Sequence, residues 1–380
     1  MTIHFFHAAD LHLGSPFKGL QQIPEDWRER LSLASYLAFD RLIEDAERKR
    51  PDFIVFAGDI YDGENRSLHA QYRFQEGLKR LSASNIPVYI IHGNHDHLAG
   101  RWTRFDYPHN VTVFQEVPHT HILKLSHATV QLTGFSYAER HIQGAVIGKF
   151  PERQSEVDYA IGLLHGSEAS QKEHDVYAPF SILELQSKNY DYWALGHIHK
   201  RQILTENPPI VYSGTLQGRN RKERGEQGYL EVKLQGKSAE LTFCPVSTVR
   251  FEQVEIDGTE VRTMDELLEC ILSQVTDLSG YCVIDCSLLL KKGDWLQVES
   301  DELYTFLNEK LTDLSTHHFF NRMTIQWQQD MPSPFKQLLQ STEVTRLSVG
   351  LTTYLPERNE WEQSVREKLQ ALLQERGNGQ

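Results

Sequence analysis

The sequence predicts an α/β protein with a large first domain, a small α+β unit after it and a helical tail. Short apolar runs of strand length alternate with helical patterns through the first half of the chain, which is typical of an α/β domain. The composition then shifts near residues 246–250, and the stretch MPSPF at 331–335 breaks the pattern again. We therefore expect domains over residues 1–247 and 248–332, and a helical tail over residues 333–380.

The first domain contains five apolar runs of strand length, each ending at glycine or a polar cluster. The helical patterns cover residues 27–50, where apolar residues recur at helical spacing, and residues 67–81. Further β character lies near residues 111–135 and 210–244. The five runs are IHFFHAAD (3–10), DFIVFAGD (52–59), PVYIIHGNHD (87–96), AIGLLHG (160–166) and YWALGHIH (192–199).

The C-terminal third alternates strands and helices on a smaller scale. Helices are predicted over residues 264–272 and 301–311, and strands over residues 281–290 and 323–327. The tail carries an apolar stripe at helical spacing, which either packs on its own domain or docks on a partner. The stripe consists of Trp361, Val365, Leu369 and Leu372.

The composition excludes several classes of protein. With 39% hydrophobic and 24% charged residues, the chain fits a soluble globular protein. It has no apolar run of about 18 residues and no basic leader, so we expect a cytoplasmic protein without a membrane partner. The four cysteines form no CxxC pair and are expected to be buried free thiols. A net charge of −13 opposes nucleic-acid binding unless metal ions and local basic patches overcome it.

Residue types that bind metal ions follow all five apolar runs. Sixteen of the eighteen histidines precede residue 200, and several of them stand at these run ends. Because ligands collect beyond the carboxyl ends of strands in α/β proteins, the five ends are expected to converge on one cleft. Carboxylate, amide and imidazole groups without cysteine suit manganese, iron or zinc. The residues are Asp10, His12, Asp59, Asn94, His95, His165, His197 and His199.

In this order, DLH, GD, GNHD, H and GHIH resemble the motifs of the calcineurin-like metallophosphoesterases over roughly residues 1–245. The resemblance implies a β-sandwich flanked by helices (αββα) with two divalent metal ions, most commonly Mn²⁺. Asp59 would bridge the two ions, and His95 would stay off them as the proton donor. One ion would be held by Asp10, His12, Asp59 and His199, and the other by Asp59, Asn94, His165 and His197.

These residue types suit the hydrolysis of a phosphodiester. Two cations about 3.5–4 Å apart neutralise the anionic ester, generate hydroxide and stabilise in-line displacement. His95 would protonate the leaving alkoxide, and general acids are worth about 10²–10⁴ in rate. Asp96 or Asp62 would either orient a neighbouring histidine through its second nitrogen or cap a turn.

Within this superfamily the sequence resembles the SbcD-type nucleases of DNA double-strand break repair, and among bacterial proteins the YhaO-like subgroup. GNHD, GDIYDGENRS and the stretch VYSGTLQGRNRKERGEQGY (211–229) carry the resemblance, together with the second domain and helical tail. It implies DNA as substrate and an SbcC-type coiled-coil ATPase as partner, and it leaves a homodimer open. Related nucleases often carry histidine where this chain has Asp62, so a role tied to that histidine cannot be transferred.

A basic patch follows the last histidine motif. Residues 200–224 contain six Lys or Arg side chains against Glu206 and Glu223, in a chain that is otherwise acidic. The patch either tracks a phosphate backbone with little sequence specificity or is an ordinary solvated loop. Its DNA-contact candidates are Lys200, Arg201, Arg219, Arg221, Lys222 and Arg224.

Three hypotheses follow. The first is a manganese-dependent DNA exo/endonuclease that works with the ATPase, for which an open basic groove is expected. The second is a phosphodiesterase or phosphatase for a small nucleotide or a phosphoprotein, with a pocket sealed by residues 250–330. The third, a non-catalytic scaffold, is disfavoured because every expected ligand and His95 are present.

Overall fold

In a computed structural model, the described residues form three β-sheets with helices on their outer faces. The structure describes residues 1–20, 23–63, 66–100, 105–142, 144–169, 177–291, 300–314 and 317–328. The predicted tail over residues 333–380 lies outside these residues, so its helix and its docking on an ATPase stay predictions. Among the described helices, none is long and apolar enough to cross a membrane.

Strands and helices alternate in the order that the sequence predicts, and all five apolar runs contain a strand. The described elements are, in chain order, β1 (Thr2–Ala8), α1 (Glu25–Lys49), β2 (Phe53–Ala57), α2 (Leu68–Ala83), β3 (Val88–Ile91), β4 (Val111–Val113), β5 (His119–Lys124), β6 (Thr129–Gly134), β7 (Tyr159–His165), α3 (Ile182–Ser187), β8 (Tyr192–Gly196), β9 (Gln202–Glu206), β10 (Pro209–Tyr212), β11 (Gly228–Gln235), β12 (Ser238–Pro245), β13 (Val249–Gly258), α4 (Met264–Thr276), β14 (Tyr281–Lys291), α5 (Ser300–Asp313) and β15 (His318–Gln328).

Two six-stranded sheets stack into a sandwich. The first sheet has the order β12-β11-β1-β2-β3-β4, with β1 to β4 parallel, and the second has the order β5-β6-β7-β8-β10-β9. In the second sheet, β6, β7, β8 and β10 run parallel. Buried side chains from both sheets, among them Phe5, Val55, Leu163 and Ala194, form one apolar cluster between them. The predicted sandwich is confirmed.

Helices cover the outer faces of the sandwich. Helices α1 and α2 pack on the first sheet, where Phe39 and Phe74 contact the side of β2 that carries Phe56. Gly77 of α2 leaves room for the Phe39 ring, because a Cβ there would lie 2.4 Å from a ring carbon. On the other side, Leu185 of the short helix α3 packs with apolar residues of the second sheet. This is the αββα arrangement that the family resemblance implies.

The third sheet has the order β13-β14-β15, and it carries its own apolar core with α4 and α5. Its other face meets α1, where Val249 and Phe251 pack with Trp27 and Leu31. All four cysteines are free, as predicted, although Cys270 is only half-buried. Contacts group Met1–Gln326 into one compact unit, and the predicted domain boundaries stay predictions.

Candidate metal centre

The predicted ligands lie where strands of both sheets end. Asp10 follows β1, Asp59 follows β2 and Asn94 follows β3, all in the first sheet. His165 is the last residue of β7, and the GHIH motif begins at the end of β8, both in the second sheet. Because these parallel strands end at the same edge of the sandwich, their loops supply ligands to one point.

The glycines in the motifs are required by how closely the strand ends approach one another. A Cβ on Gly93 would lie 2.3 Å from Asp59 Oδ1, and a Cβ on Gly196 would lie 1.9 Å from the Ala57 carbonyl oxygen. Both separations are far below van der Waals contact, so a larger residue would push the strand ends apart. Gly93 and Gly196 are therefore needed because the site has no room for a side chain at these positions, and not only because glycine favours a turn.

Four of the predicted ligands adopt a left-handed backbone conformation that non-glycine residues rarely occupy. The φ angles are 51° for Asp10, 43° for His12, 51° for Asp59 and 99° for His197. Such conformations each cost about 1–3 kcal/mol and persist where the surrounding structure enforces them, typically at functional sites. Three of the four, Asp10, His12 and Asp59, have side chains in the clusters described below, so these conformations are concentrated at the site.

The first cluster consists of Asp10, His12 and His199, whose ligand atoms all lie within 4.8 Å of one another. His12 Nε2 lies 3.1 Å from His199 Nε2 and 4.0 Å from Asp10 Oδ1. Asp59 Oδ2 approaches the same His12 nitrogen to 3.8 Å. The structure thus brings together the four residues predicted for one metal ion.

The tautomers of these histidines fit a cation at this point. His199 Nδ1 donates to Glu223 Oε1 over 2.7 Å, and His12 Nδ1 lies 3.2 Å from Asp62 Oδ1. A carboxylate lies beside each Nδ1, which favours the proton there and leaves the two Nε2 lone pairs facing each other and two carboxylates, an arrangement that a positive ion stabilises. Burial also lowers the pKa of His12 to about 3, which keeps its imidazole neutral, the form that binds metals.

The second cluster consists of Asp10, Asp59 and His165, with Asn94 beside it. His165 Nδ1 lies 2.9 Å from the Ala57 carbonyl oxygen, and its Nε2 lies 3.1 Å from Asn94 Oδ1 and 3.3 Å from Asp59 Oδ2. Burial opposes a charge on His165, but the Asp59 carboxylate outweighs it and raises the pKa to about 9. The pocket therefore favours positive charge at Nε2, which a bound cation supplies in place of the proton.

Asp59 lies between the two clusters. Its Oδ2 faces both His12 and His165, at 3.8 and 3.3 Å, while its Oδ1 accepts a hydrogen bond from the His95 backbone N–H over 3.0 Å. Burial opposes ionisation, yet the neighbouring His165 holds the pKa of Asp59 well below its usual range. Asp59 thus lies where the predicted bridging residue is expected, and its role as the bridge stays a prediction.

His197 takes a different position from the other predicted ligands. Its ring packs against His165 and Tyr177, with ring centroids 5.3 and 5.2 Å apart, and it is not a member of the clusters formed by the described residues. Its backbone N–H donates to both carboxylate oxygens of Asp10 over 3.1 Å. His197 therefore orients Asp10 through the backbone, and the ligand role of its ring stays a prediction.

His95 lies at the mouth of the site, and with His12 and Asp62 it forms a third group whose ligand atoms lie within 4.8 Å of one another. Its place off the metal ions therefore stays a prediction. The side chain of His95 is 36% exposed, and its Nδ1 lies 3.4 Å from Asp62 Oδ1. Asp62 accepts hydrogen bonds from Ser15 Oγ and Arg219 Nη1 over 2.8 and 3.2 Å. Despite partial burial, the hydrogen bond from His12 and the charge of Arg219 lower the pKa of Asp62. Asp62 thus stands where a carboxylate orients two histidines, leaving Nε2 of His95 for the cleft.

Asp96, the other carboxylate predicted to orient a histidine, holds the loop and also contacts His92. It accepts hydrogen bonds from the backbone N–H groups of Gly93 and Ile60 over 2.7 and 2.9 Å. Its Oδ2 also lies 2.9 Å from His92 Nδ1, and His92 is not a predicted ligand. Asp96 thus caps the turn and also contacts a neighbouring histidine, and its orienting role towards a predicted metal ligand stays a prediction.

A cleft of about 860 Å³ opens over the clusters. Among the described residues, those lining it lie between positions 59 and 227, and none comes from the third sheet. The lining includes four of the predicted DNA-contact residues and also Arg140, which sequence reasoning missed. The four are Lys200, Arg201, Lys222 and Arg224.

Two of the six DNA-contact candidates lie elsewhere. The Arg219 side chain is only 9% exposed and donates to Ser15 Oγ and Asp62 Oδ1, so it is enclosed in the site rather than presented to a ligand. Arg221 is exposed but is not among the residues lining the cleft. Sequence proximity to the GHIH motif could not separate these two from the four that line the cleft.

Sequence reasoning also missed Glu223, which it counted only as an acid within the basic patch. Glu223 accepts the His199 Nδ1 proton and, through its other oxygen, the Arg219 backbone N–H over 2.7 Å. Burial opposes its ionisation, but the hydrogen bond from His199 lowers the pKa of Glu223 to about 2. A glutamate 24 residues after its histidine carries no spacing signal, so only the folded loop reveals the contact.

Replacing Glu223 with alanine is expected to weaken Mn²⁺ binding about 10- to 100-fold, the usual effect of removing a carboxylate that orients a metal-binding histidine. Calorimetric titration of the protein with Mn²⁺ measures the change directly. Glu226→Ala is the matched control, because Glu226 lines the same cleft but pairs with Arg250 at 3.5 Å. Equal affinities in the two variants would contradict an orienting role for Glu223.

Comparison with known proteins agrees with this geometry. The family model for calcineurin-like phosphoesterases matches residues 3–201. The chain belongs to the calcineurin-like phosphoesterase family, which uses divalent metal ions. The family, the fold and the clusters together define a metal-dependent phosphoester hydrolase.

Individual relatives extend the comparison. The uncharacterized metallophosphoesterase YhaO of Bacillus subtilis is 37% identical over 298 residues, which cover 77% of this chain and 73% of YhaO. The DNA double-strand break repair protein Mre11 of Methanococcus maripaludis is 39% identical over 95 residues, or 25% of this chain and 23% of Mre11. A dimetal phosphatase from Danio rerio aligns with 63% of this chain and 98% of its own, at 12% identity and a TM-score of 0.36.

Proposed function

We propose that this protein is a two-metal DNA phosphodiesterase, an exo/endonuclease that acts in DNA double-strand break repair in the cytoplasm with Mn²⁺. We further propose that it is the nuclease subunit of an assembly with an SbcC-type ATPase. The observation that carries the choice of substrate is the cleft over the metal centre. Five Lys or Arg residues line it, against Asp59, Glu223 and Glu226 among the acids.

The charges of the cleft support a polyanionic substrate. Arg219 Nη2 lies 3.9 Å from Glu223, and Glu226 pairs with Arg250, so part of the acidic charge is already neutralised. The basic side chains stand in a chain whose net charge is −13, which makes their concentration beside the metal centre unusual. A phosphate backbone fits such a groove through its charge, without contacts that read the bases. Since no described residue of the third sheet lines the cleft, the small sealed pocket of the alternative hypothesis has no support here.

The chain's own residues account for binding and proton transfer. When bound, the two metal ions supply charge neutralisation and a hydroxide nucleophile. Asp62 Oδ1 lies 3.4 Å from Nδ1 of His95, which leaves Nε2 to donate a proton to the leaving oxygen. Arg219 neutralises Asp62 from the buried side, which keeps that carboxylate an acceptor. The metal ions would be held by Asp10, His12, Asp59, Asn94, His165, His197 and His199.

The relatives support the proposal to different extents. YhaO covers most of this chain, and its name gives the metallophosphoesterase class alone. Mre11 is named for double-strand break repair and matches only a quarter of the chain. The proposed substrate therefore depends mainly on the cleft.

A direct assay tests the substrate. Purified protein with Mn²⁺ is expected to cleave linear duplex or single-stranded DNA and also bis-p-nitrophenyl phosphate. The Asp10→Ala variant, prepared in parallel, should lose both activities and so exclude a contaminating nuclease. Hydrolysis of the small ester without any cleavage of DNA, even with an SbcC-type ATPase added, would overturn the nuclease and favour a small-nucleotide or phosphoprotein substrate.

A further inference from the structure

An aromatic ladder leads from the protein surface to the metal centre. The exposed His141 ring stacks on Tyr177, with ring centroids 5.4 Å apart and planes inclined by 19°. Tyr177 in turn packs against His197 at 5.2 Å, and His197 packs against His165 at 5.3 Å. Tyr177 lines the cleft, and His141 follows the cleft-lining residue Arg140 in the chain, although it does not line the cleft itself.

Backbone hydrogen bonds hold the two outer rings in place. The Ala178 N–H donates to the Ile142 carbonyl over 2.8 Å, which ties the segment after Tyr177 to the segment after His141. The Ser167 N–H donates to the Tyr177 carbonyl over 2.9 Å, and Ile142 packs on the apolar core of the second sheet. The stacked pair is thus anchored on both sides, although one of its rings is exposed to water.

A flat ring held in this way offers a specific kind of surface. Tyr177 covers one face of His141, and the exposed side of the imidazole faces outward. Aromatic and imidazole rings at the edge of a basic groove are where unpaired nucleobases stack, because every base has a π-face. Arg140, the residue before His141, lines the cleft and contributes to its positive charge.

We propose that His141, supported by Tyr177, is a stacking platform for an unpaired nucleobase next to the scissile phosphodiester. The inference rests on the proposed function and specifies its substrate further. In a duplex, bases are already stacked and paired, whereas an unpaired base is free to stack on a protein ring. The enzyme therefore prefers single-stranded DNA or unpaired strand ends over fully paired DNA.

The test compares oligonucleotides with and without bases. His141→Ala should raise KM for a single-stranded oligonucleotide about tenfold, within the range of one lost base–aromatic stack, with little change in kcat. The same variant should leave KM unchanged for an oligonucleotide of equal length that carries abasic sites. His141→Phe should restore the wild-type KM, because phenylalanine keeps the ring. His127→Ala removes another exposed histidine, one that pairs with Asp52, and should change neither KM.

Two results would overturn the platform: an equal rise in KM on the abasic strand, or failure of phenylalanine to restore binding. Failure of the proposed function gives a different pattern. If the wild-type protein hydrolyses small diesters but no DNA, thymidine 5′-p-nitrophenyl phosphate and ethyl p-nitrophenyl phosphate take the place of the oligonucleotides. If His141→Ala raises KM for the thymidine ester alone, the result supports the platform. If it raises KM equally for both esters, the result refutes it.

Discussion

The Asp59→Asn variant is expected to lose about a thousandfold in phosphodiesterase rate. Asp59 Oδ2 faces both His12 and His165, so one substitution removes charge from both candidate metal positions. A metal ion lowers the free energy of the transition state by several kcal/mol. Each loss of about 1.4 kcal/mol lowers the rate about tenfold, so the loss of this contribution accounts for the expected decrease. Rates on bis-p-nitrophenyl phosphate and the number of bound Mn²⁺ ions measure the effect.

Asparagine is a suitable replacement because it preserves shape. The amide oxygen can still accept the hydrogen bond that Asp59 Oδ1 takes from His95 N–H, so the loop is expected to fold as before. Asp45→Asn serves as the control, since Asp45 contacts Tyr229 and Arg48 away from the metal centre. A folded Asp59→Asn protein that binds two Mn²⁺ ions with wild-type affinity would show that Asp59 is not the bridge.

The His95→Ala variant is expected to lose about 10²–10⁴ in kcat on DNA, the range typical of a removed general acid. Its affinity for Mn²⁺ should change little, because the His95 ring contacts Asp62 and faces the cleft at the edge of the metal centre. The loss should be smaller on bis-p-nitrophenyl phosphate, whose leaving group departs without a proton. Steady-state kinetics on both substrates provides the comparison.

The ratio of the two losses distinguishes proton transfer from a structural role. A collapsed site would reduce both rates by the same factor, whereas a missing acid affects the poorer leaving group more. His109→Ala, which removes an exposed histidine before β4, should behave as the wild type. Full activity of His95→Ala on DNA would remove His95 as the proton donor.

Much of the fold follows from local pattern. Each of the five apolar runs contains a strand, since a buried parallel strand needs a short continuous apolar segment bounded by turn residues. The helix predicted over residues 27–50 is α1, and that predicted over residues 67–81 is α2, where Ser67 accepts a hydrogen bond from the Ala70 N–H at the first turn. Apolar runs, helical spacing and helix caps depend on residues close together in the chain, so they can be recognised in a single sequence.

The cluster of metal-binding residue types was also readable from the sequence, because parallel strand ends must meet at one edge. Asp10, Asp59 and His165 come together as the order of the runs predicted. The sequence did not reveal that their loops come from two facing sheets, which determines that Asp59 faces both clusters through one oxygen. That detail depends on how the sheets pack.

The sequence by itself determined the order of strands and helices, the edge at which the site forms and the residue types that reach it. Tertiary structure alone decided which carboxylate serves which histidine: Asp62 stands beside His12 and His95, Asp96 caps a turn, and Glu223 takes His199. It also enclosed Arg219 and placed His141 on Tyr177. The physical reason is that these contacts join residues far apart in the chain, whose distances depend on packing and not on local sequence pattern.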